Sequence, residues 1–448
     1  MPVQITPPQQ VSAILEKLAK NGFEAYLVGG CVRDCLLGTD PIDWDLTTNA
    51  RPEQVKKVFA AYPVLETGIR HGTVTVLLDH VPIEVTTYRS DIGYTDHRHP
   101  DAVRFTPDLR EDLARRDFTV NALAWSPETG FIDYFNGIND LAQRRLRCVG
   151  EASVRFEEDA LRILRALRFS SVLGFPISPD TSAAIHQKKE LLSFVAAERV
   201  QKELSRCLCG KNIQEILLDY PDVLSLFIPQ LSRMKGFEQH NPHHVYDILE
   251  HTAKAVSVIE PDPVLRLAML FHDTGKPDCF SIDEDGVGHF YGHAQKSVQI
   301  AKKALQTLRF DRTTIENVLF LVKYHDTMLP TERKGIKRWL NRFGETKLRL
   351  LLPVKYADTL ALAPEYHHRL SELHDFSEML ETLLQEQACF SVSQLAVNGN
   401  DLIQAGVTKG PQVGVALEFL LNAVIEETVP NDREQLLKYW KEQKGTDQ

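Results

Sequence analysis

The sequence contains little cysteine: seven residues among 448, scattered, odd in number and without a CxxC pair. Neither a disulfide framework nor a zinc ribbon is therefore expected. No uninterrupted apolar run reaches the roughly 18–20 residues that a membrane helix needs. The first ten residues, MPVQITPPQQ, lack the basic and apolar regions of a signal peptide. These absences exclude the membrane, secreted, collagenous and disordered classes, and they predict a soluble cytoplasmic enzyme.

Positive charge is also in deficit, with 51 Lys and Arg against 61 Asp and Glu and a formal net charge of −10. Phosphate backbones are usually held by an excess of Lys and Arg, so this balance argues weakly against nucleic-acid binding. Residues 141–169 reverse the balance locally, with seven arginines against four carboxylates. This basic patch keeps an RNA partner under consideration. Its arginines are Arg144, Arg145, Arg147, Arg155, Arg162, Arg165 and Arg168.

The apolar pattern changes along the chain. Residues 10–140 alternate helix and strand signals, and Thr73–Leu78 and Pro82–Tyr88 form a β-branched alternating pair with a turn at residues 79–80. From about Gly150 onward the strand signals vanish, and apolar residues recur at helical spacing to the end. The prediction is an α+β fold, with a small mixed-sheet head followed by an all-helical remainder.

The most specific passage is YLVGGCVRDCLLGTDPIDWDL, residues 26–46. Gly29 and Gly30 follow a predicted strand and open a helix, so their N–H groups are expected to cradle a phosphate, with Arg33 one turn further on. Asp43 and Asp45 lie two apart on a predicted extended segment, which would place both carboxylates on one face of the sheet. A paired carboxylate site of this kind suits Mg²⁺ bound with a triphosphate.

A GG pair followed by DxD at this spacing resembles the nucleotidyltransferase superfamily of DNA polymerase β and the tRNA nucleotidyltransferases. Glu84, in PIEVTTYR, would be either a third carboxylate of the site or a surface residue of an alternating strand. The segment ARRDFTVNAL, residues 114–123, resembles the one that class II tRNA nucleotidyltransferases use for ribose and triphosphate. The resemblance implies Arg116 on phosphate, with Asp117 and Asn121 near the ribose.

Later segments follow the order of the same family. Residues 88–105 resemble the flexible loop of enzymes that switch from adding C to adding A, and residues 133–141 resemble the hinge-like segment after it. EEDALRILRALRF, residues 157–169, resembles the base-selecting helix, and ERVQKELSR, residues 198–206, resembles the neck helix in the form seen in CCA-adding enzymes.

The residue types of the base-selecting segment fit that role. Asp159 and Arg162 are three apart and are predicted to share one helix face, with Arg165 and Arg168 continuing the row. Cytosine and adenine both present an amino donor beside a ring-nitrogen acceptor, which a carboxylate and a guanidinium complement. Uracil and guanine would leave both side chains unpaired. In isolation a DxxR would be a surface salt bridge; after this head it predicts an amino-acid template for the base.

Histidine and aspartate recur in five segments of the helical half, residues 240–256, 271–276, 292–297, 324–326 and 355–361. Together they resemble the HD phosphohydrolase domain, and mixed imidazole and carboxylate ligands suit Ni²⁺, Mn²⁺, Fe²⁺ or Zn²⁺. The alternative is a domain that keeps this fold without activity. The ligands that the resemblance implies are His251, His272, Asp273 and Asp358, with His293 and His325 for a second ion.

These resemblances predict five parts: a nucleotidyltransferase head (1–145), a base-selecting helical neck (146–210), a helical body (211–240), an HD domain (241–375) and a tRNA-holding helical tail (376–448). The implied function is template-free addition of CCA to the 3′ end of tRNA from CTP and ATP with Mg²⁺, together with a metal-dependent phosphohydrolase activity. No membrane or DNA partner is expected. The alternatives are a poly(A) polymerase, a partial CC- or A-adding enzyme, and a non-catalytic RNA-binding or HD regulatory protein.

Overall fold

The computed structural model describes residues 5–93, 102–241 and 245–445. Part of the predicted loop (94–101) and part of the first histidine-containing segment (242–244) lie outside the described residues. The chain forms two compact units, Met1–Ser232 with Thr307–Arg309, and Arg233–Gln306 with Phe310–Gln448. No helix among the described residues is both long and apolar enough to span a lipid bilayer.

Strands dominate the head of the first unit. They are β1 (Ala25–Val28), β2 (Asp45–Thr48), β3 (Val64–Gly68), β4 (Thr73–Leu78), β5 (Val81–Thr87), β6 (Arg89–Ile92), β7 (Ala102–Phe105), β8 (Ala124–Ser126) and β9 (Gly130–Ile132). Seven of them form one sheet in the order β3-β4-β5-β2-β1-β8-β9, and β6 pairs with β7 separately. Within the seven-stranded sheet β2 and β5 run parallel and the other neighbours antiparallel. The predicted mixed sheet is confirmed.

The hairpin between β4 and β5 follows from local sequence. Every second residue of β4 is buried, as the alternation of its β-branched residues predicts. Asp79 and His80 both adopt positive φ, 50° and 67°, the left-handed conformation that two-residue hairpin turns require. This turn sets the register that pairs Thr75 with Glu84, and Glu84 is thereby fixed in the middle of the sheet.

Up to residue 234, the described part of the chain also contains twelve α-helices. They are α1 (Gln9–Lys20), α2 (Gly30–Leu36), α3 (Pro52–Val58), α4 (Leu109–Ala114), α5 (Gly137–Ala142), α6 (Ala152–Glu158), α7 (Leu161–Leu173), α8 (Pro179–Lys188), α9 (Ala197–Leu208), α10 (Ile213–Asp219), α11 (Pro221–Leu224) and α12 (Gln230–Met234). Tyr26 and Val28 of β1 pack with Leu113 of α4 and Val149 in the buried core beside the sheet. This packing ties β1 to the segments that carry the candidate site.

The prediction that Asp159 and Arg162 share one continuous helix is wrong. Asp159 terminates α6 in an extended conformation, with φ −138° and ψ 102°, and α7 begins two residues later. Its carboxylate accepts a hydrogen bond from the Leu161 main-chain N–H at 3.1 Å. The short Asp side chain therefore satisfies a free N–H at the start of the next helix, which competes with continuing the previous one.

The remaining described residues are mainly helical, with elements α13 (Ile248–Val258), α14 (Pro263–Phe271), α15 (Lys276–Cys279), β10 (Ser281–Ile282), β11 (Gly288–His289), α16 (His293–Thr307), α17 (Arg312–Tyr324), α18 (Arg333–Phe343), α19 (Glu345–Leu360), α20 (Arg369–Gln385), α21 (Gly399–Gln404), α22 (Pro411–Ile425) and α23 (Arg433–Gly445). The expectation of no strands after Gly150 is wrong, because β10 and β11 form a small antiparallel pair. Each strand has only two residues, too few for a periodic signal.

Candidate functional site

Three carboxylates meet at the β2–β5 pair of the head. Asp45, the first residue of β2, is the register partner of Glu84 on the parallel strand β5, and residues directly opposite in a sheet point to the same face. Asp43 lies in a bend before β2 rather than on an extended strand, which corrects the predicted two-residue alternation. Asp43 and Asp45 are both exposed to solvent. We call these three residues the head carboxylates.

Desolvation and repulsion between neighbouring carboxylates raise the pKa values of Asp45 and Glu84. Desolvation raises the pKa of Asp45 and the Asp43 charge raises it further, whereas the Arg116 guanidinium lowers it. Desolvation and the charges of Asp45 and Asp43 likewise raise the pKa of Glu84. A divalent cation would relieve this repulsion, and hard oxygen ligands of this type suit Mg²⁺.

Gly29 and Arg116 lie next to each other and close to the head carboxylates. Gly29 has φ 76°, and a Cβ placed there would lie 2.8 Å from Arg116 Nη1. The Gly29 N–H donates to the Leu123 carbonyl at 3.2 Å, so the expectation that this N–H is free to bind phosphate is wrong. Gly30 is the first residue of α2. Arg116 Nη2 lies 3.7 Å from Asp112 Oδ2, and Arg116 Nε is buried without a hydrogen-bond partner among the described residues.

A polar chain connects α2 to α7. Arg33 Nη1 donates to Asn121 Oδ1 at 2.7 Å, and Asn121 Nδ2 donates to Asp117 Oδ1 at 3.1 Å. Arg165 donates to Asp117 Oδ2 through Nε at 2.8 Å and Nη2 at 2.5 Å. Burial alone would raise the pKa of Asp117, but Arg165 and Asn121 outweigh it and lower that pKa to about 2. Four of the residues predicted to bind nucleotide thus form one connected network.

The structure does not bring together Asp159 and Arg162, the two residues predicted to select the base. Arg162 donates to Glu158 Oε2 at 2.6 Å and to the main-chain carbonyls of Arg155 and Arg115. Asp159 Oδ2 instead lies 3.8 Å from Arg199 Nη2. Asp159 and Arg162 therefore have separate partners here.

Arg168 belongs to a different contact. It donates to Glu203 Oε2 of α9 at 2.5 Å, and its guanidinium carbon lies 3.8 Å from the Phe169 ring centroid. Both carboxyl and guanidinium groups are nearly buried. This pair joins α7 to α9.

Most arginines of the basic patch, residues 141–169, are paired with carboxylates. Arg145 and Arg147 both pair with Asp140, at 3.1 and 2.8 Å. Arg155 pairs with Glu158 at 2.6 Å, and Arg144 lies over the Phe175 ring. With the pairs described above, six of its seven arginines contact a carboxylate. The local excess of positive charge is therefore committed mainly to contacts within the first unit.

A second group of polar residues lies in the other unit. We call it the histidine–aspartate cluster; it consists of His251, His272, Asp273, His293, His325 and Asp358. His251 Nε2 lies 3.2 Å from His272 Nε2 and 3.0 Å from Asp358 Oδ1. His293 Nε2 lies 3.3 Å from His325 Nε2. Asp273 lies between the two pairs, with Oδ2 3.2 Å from His272 Nε2 and Oδ1 3.4 Å from His293 Nε2.

Main-chain contacts orient all four imidazoles. Nδ1 of His272 lies 2.6 Å from the Met269 carbonyl and Nδ1 of His325 lies 2.7 Å from the Val322 carbonyl, each at the end of a helix. Nδ1 of His251 faces the Ala361 carbonyl, and Nδ1 of His293 faces the Phe290 carbonyl. A carbonyl accepts only from a protonated nitrogen, so each neutral ring turns a bare Nε2 lone pair inward. Such orientation of the second nitrogen is typical of metal-binding histidine.

The electrostatics of the histidine–aspartate cluster favour a bound proton or metal ion. Burial alone would lower the pKa of His272, but Asp273 and Asp358 outweigh it and raise that pKa to about 10. Two facing Nε2 lone pairs 3.2 Å apart repel unless a proton or metal ion lies between them. Two overlapping triads have ligand atoms within 4.8 Å of one another, His251–His272–Asp273 and Asp273–His293–His325. The residues therefore fit one or two divalent transition metals.

The histidine–aspartate cluster opens into a cavity of about 360 Å³. Lys276 and Arg369 bring positive charge to its lining, and Lys276 Nζ lies 2.7 Å from Asp273 Oδ2. Sequence reasoning missed Lys276 as a site residue, although its three-residue spacing from Asp273 was a usable signal. It also missed Glu158 as the partner of Arg162, because an acidic residue beside Asp159 has no distinguishing pattern.

Three family models match parts of the chain. The Poly A polymerase head domain covers residues 25–147, which contain the head carboxylates. The RNA and SrmB-binding site of polymerase A covers residues 174–234, and tRNA nucleotidyltransferase domain 2 covers residues 290–440.

Relatives match over nearly the whole length. The CCA-adding enzyme of Leuconostoc citreum is 34% identical over 435 residues, which are 97% of this chain and 96% of that protein. The CCA-adding enzyme of Levilactobacillus brevis is 35% identical over 95% of each chain. The Bacillus stearothermophilus CCA-adding enzyme, solved in complex with CTP, is 28% identical with a TM-score of 0.73 and 99% of both chains covered. The chain therefore belongs to the family of CCA-adding enzymes, which are nucleotidyltransferases.

Proposed function

We propose that this chain adds C, C and A to the 3′ end of tRNA from CTP and ATP without a nucleic-acid template. The observation that carries the proposal is the set of head carboxylates beside Arg116, in a chain 34% identical to a CCA-adding enzyme over 97% of its length. The Bacillus stearothermophilus enzyme was solved with CTP, which supports CTP as one substrate. The names of these relatives favour CCA addition over poly(A) synthesis.

The residues of the head have distinct roles in this proposal. Enzymes of this type use a divalent cation, typically Mg²⁺, which when bound neutralises phosphate charge and assists displacement at phosphorus. Asp43, Asp45 and Glu84 would hold that cation. Arg116, whose positive charge acts on Asp45, would hold the triphosphate. The tRNA 3′ hydroxyl attacks the α-phosphorus, and pyrophosphate leaves.

Base choice is assigned to Asp159 and Arg162, with Arg165 and Arg168 behind them. For Arg162 to reach a base, it must exchange its contact with Glu158, 2.6 Å away, for the Watson–Crick edge. Glu158 and the nucleotide would then compete for one guanidinium. Asp117 and Asn121 would face the ribose, held in place by Arg165 and Arg33.

Transfer to tRNA is the direct test of this function. Transcripts that lack one, two or all three terminal nucleotides are offered single nucleotides, and the products are resolved at single-nucleotide length. Addition of C, C and then A, followed by a stop, supports the proposal. Long A tails would indicate a poly(A) polymerase, and a stop after two C residues or addition of A alone would indicate a partial enzyme.

We also infer a second activity, metal-dependent hydrolysis of phosphate esters at the histidine–aspartate cluster. Four oriented imidazoles and two carboxylates support it, since a bound divalent metal would activate water there. Lys276 and Arg369, which line the same cavity, would hold the negatively charged ester. Suitable substrates are 2′,3′-cyclic or terminal phosphates, because an RNA end in that form has no free 3′ hydroxyl to extend.

Hydrolysis is tested on 2′,3′-cyclic AMP with Ni²⁺, Mn²⁺ and Mg²⁺ in turn. Turnover that depends on a transition metal supports the activity. Absence of turnover with every metal would assign the histidine–aspartate cluster to structure rather than catalysis.

A further inference from the structure

A pair of aromatic rings lines the cavity that contains the histidine–aspartate cluster. His289 and Tyr291 both line that cavity. Their rings stack, with centroids 5.2 Å apart and planes inclined by 9°. Tyr291 is nevertheless 77% exposed, so one face of its ring rests on His289 while most of the side chain remains open to solvent. A large exposed ring at the edge of a polar cavity is suited to stacking a flat ligand.

The backbone and a carboxylate hold this pair in place. His289 Nε2 lies 2.7 Å from Asp283 Oδ2, which fixes the imidazole plane. Gly288 packs so closely that an added Cβ would lie 2.1 Å from the Gln239 carbonyl oxygen, and its N–H donates to the His240 carbonyl at 2.7 Å. A ring held by its support loses little conformational entropy when it binds a ligand.

Gln239, against which Gly288 packs, also contacts Lys276, a positively charged residue of the cavity lining. Gln239 Oε1 accepts a hydrogen bond from Lys276 Nζ at 2.8 Å, and Lys276 also contacts Asp273. Tyr291 and His293 are separated only by Gly292, which has φ 80°. One short segment of chain, together with Gln239, therefore connects Tyr291 with His293 and Lys276.

The ligand of this arrangement must combine two chemistries. Arg369, together with Lys276 beside Asp273, favours a negatively charged group, and the exposed ring of Tyr291 favours a flat unsaturated one. The cavity volume of about 360 Å³ lies within the range of roughly 300–1,000 Å³ that accommodates small-molecule ligands. A nucleotide with an unpaired base supplies both chemistries, whereas a simple phosphate ester supplies only the negative charge.

We propose that Tyr291, supported by His289, stacks the unpaired base of a nucleotide whose phosphate lies at the histidine–aspartate cluster. The site would thus act on a free nucleotide or on the single-stranded end of an RNA, and would discriminate against esters that have no base. This inference rests on the proposed hydrolytic function and adds the substrate class to it.

The test compares a base-bearing cyclic ester, 2′,3′-cyclic AMP, with glycerol 1,2-cyclic phosphate, which has no base. In Tyr291→Leu the ratio of the two kcat/KM values is expected to fall about tenfold, through KM for 2′,3′-cyclic AMP, because base–aromatic stacking is lost. Tyr291→Phe keeps the ring and should keep the ratio. Tyr246→Leu, at a 40% exposed tyrosine outside the cavity lining, is the matched control. An unchanged ratio in Tyr291→Leu overturns the proposal.

A second arm separates the two sources of the base. A single-stranded oligonucleotide ending in a 2′,3′-cyclic phosphate is compared with 2′,3′-cyclic AMP on the wild-type protein. A lower KM for the oligonucleotide, raised by Tyr291→Leu, assigns the stacked base to an RNA end. Equal KM values, both raised by Tyr291→Leu, assign it to a free nucleotide.

A binding measurement tests the stacking proposal even if the protein has no hydrolytic activity. If the wild-type protein hydrolyses no ester, the Mn²⁺-treated protein is titrated with adenosine 3′-phosphate while saturating CTP occupies the head. Binding about tenfold weaker in Tyr291→Leu than in wild type would support stacking without hydrolysis. Equal binding by the two proteins would overturn it.

Discussion

The two cation-compatible sites of this chain differ in ligand type and in burial. The head carboxylates include two exposed aspartates, whose repulsion water can screen. His251 and His272 of the histidine–aspartate cluster are fully buried and have their Nδ1 atoms committed to main-chain carbonyls. A hydrated oxygen site can receive its ion together with each triphosphate. A buried imidazole site requires a resident cation or proton, because water cannot screen its charges.

The largest expected effect is a loss of nucleotide addition without any loss of hydrolysis. Asp43→Asn and Asp45→Asn should each reduce nucleotide addition by at least about 100-fold, because the cation loses a charged ligand. Asp40→Asn, at a nearby exposed carboxylate, is the control. Hydrolysis of 2′,3′-cyclic AMP by the same variants should be unaffected. Addition within tenfold of wild type in Mg²⁺ would remove these residues from the metal site.

The converse variant should lose the other activity. His272→Ala/Asp273→Ala deletes one imidazole and the carboxylate that lies between the two histidine pairs, so hydrolysis with Ni²⁺ or Mn²⁺ should disappear while CCA addition in Mg²⁺ remains. Metal binding itself is measured as the rise in Tm on adding Mn²⁺, expected for wild type and absent for the variant. Loss of both activities together would mean that the two sites are not separable.

A smaller effect concerns base choice. Arg162→Ala should reduce selectivity for CTP over UTP by about tenfold to 100-fold, since an unsatisfied partner in a closed site costs about 1–3 kcal/mol. Glu158→Gln weakens the contact that competes with the nucleotide for Arg162. It should therefore raise selectivity for CTP over UTP and lower KM for CTP. An equal decrease for all four nucleotides in Arg162→Ala would point to a phosphate contact instead.

The smallest expected effect tests the close contact between Gly29 and Arg116. Gly29→Ala should raise KM for CTP about fivefold, through displacement of Arg116 and backbone strain of about 1 kcal/mol. Gly22→Ala is a matched control, because Gly22 has φ 81° with nothing within 4 Å of the added Cβ. Tm should fall by a similar amount in both variants, and KM for CTP should change only in Gly29→Ala. An equal change of KM in both would assign the effect to strain alone.

Sequence reasoning succeeded where local chemistry decides the conformation. The bounds of β4 agree with the predicted strand, and residues 79–80 form the predicted turn, because Asp and His adopt positive φ more readily than most residues. The alternation of β5 left Glu84 open between two roles, since only the register of β2 against β5 shows that it faces Asp45. Cross-strand partners depend on tertiary structure, which one sequence does not specify.

The errors in the helical part have a common origin. Residues 157–169 are continuous in helix-forming residues, so the break at Asp159 was not predicted; it depends on one side chain accepting the Leu161 N–H. Similarly, composition indicated a basic patch, but Asp117 and Glu203, far from it in sequence, neutralise Arg165 and Arg168. The polar contacts between distant segments decide which charges are available.

Those internal ion pairs bear on how an RNA would be held. A guanidinium that is already paired with a carboxylate displaces no condensed counterions when a phosphate approaches, and counterion release is what makes nucleic-acid affinity steeply salt-dependent. Arg145, Arg147 and Arg165 each have such a carboxylate partner. Residues 141–169 should consequently contribute little to the slope of log K against log salt concentration. The six carboxylate-paired arginines of this segment thus mainly position α6 and α7, and they contribute much less to the electrostatic attraction of RNA.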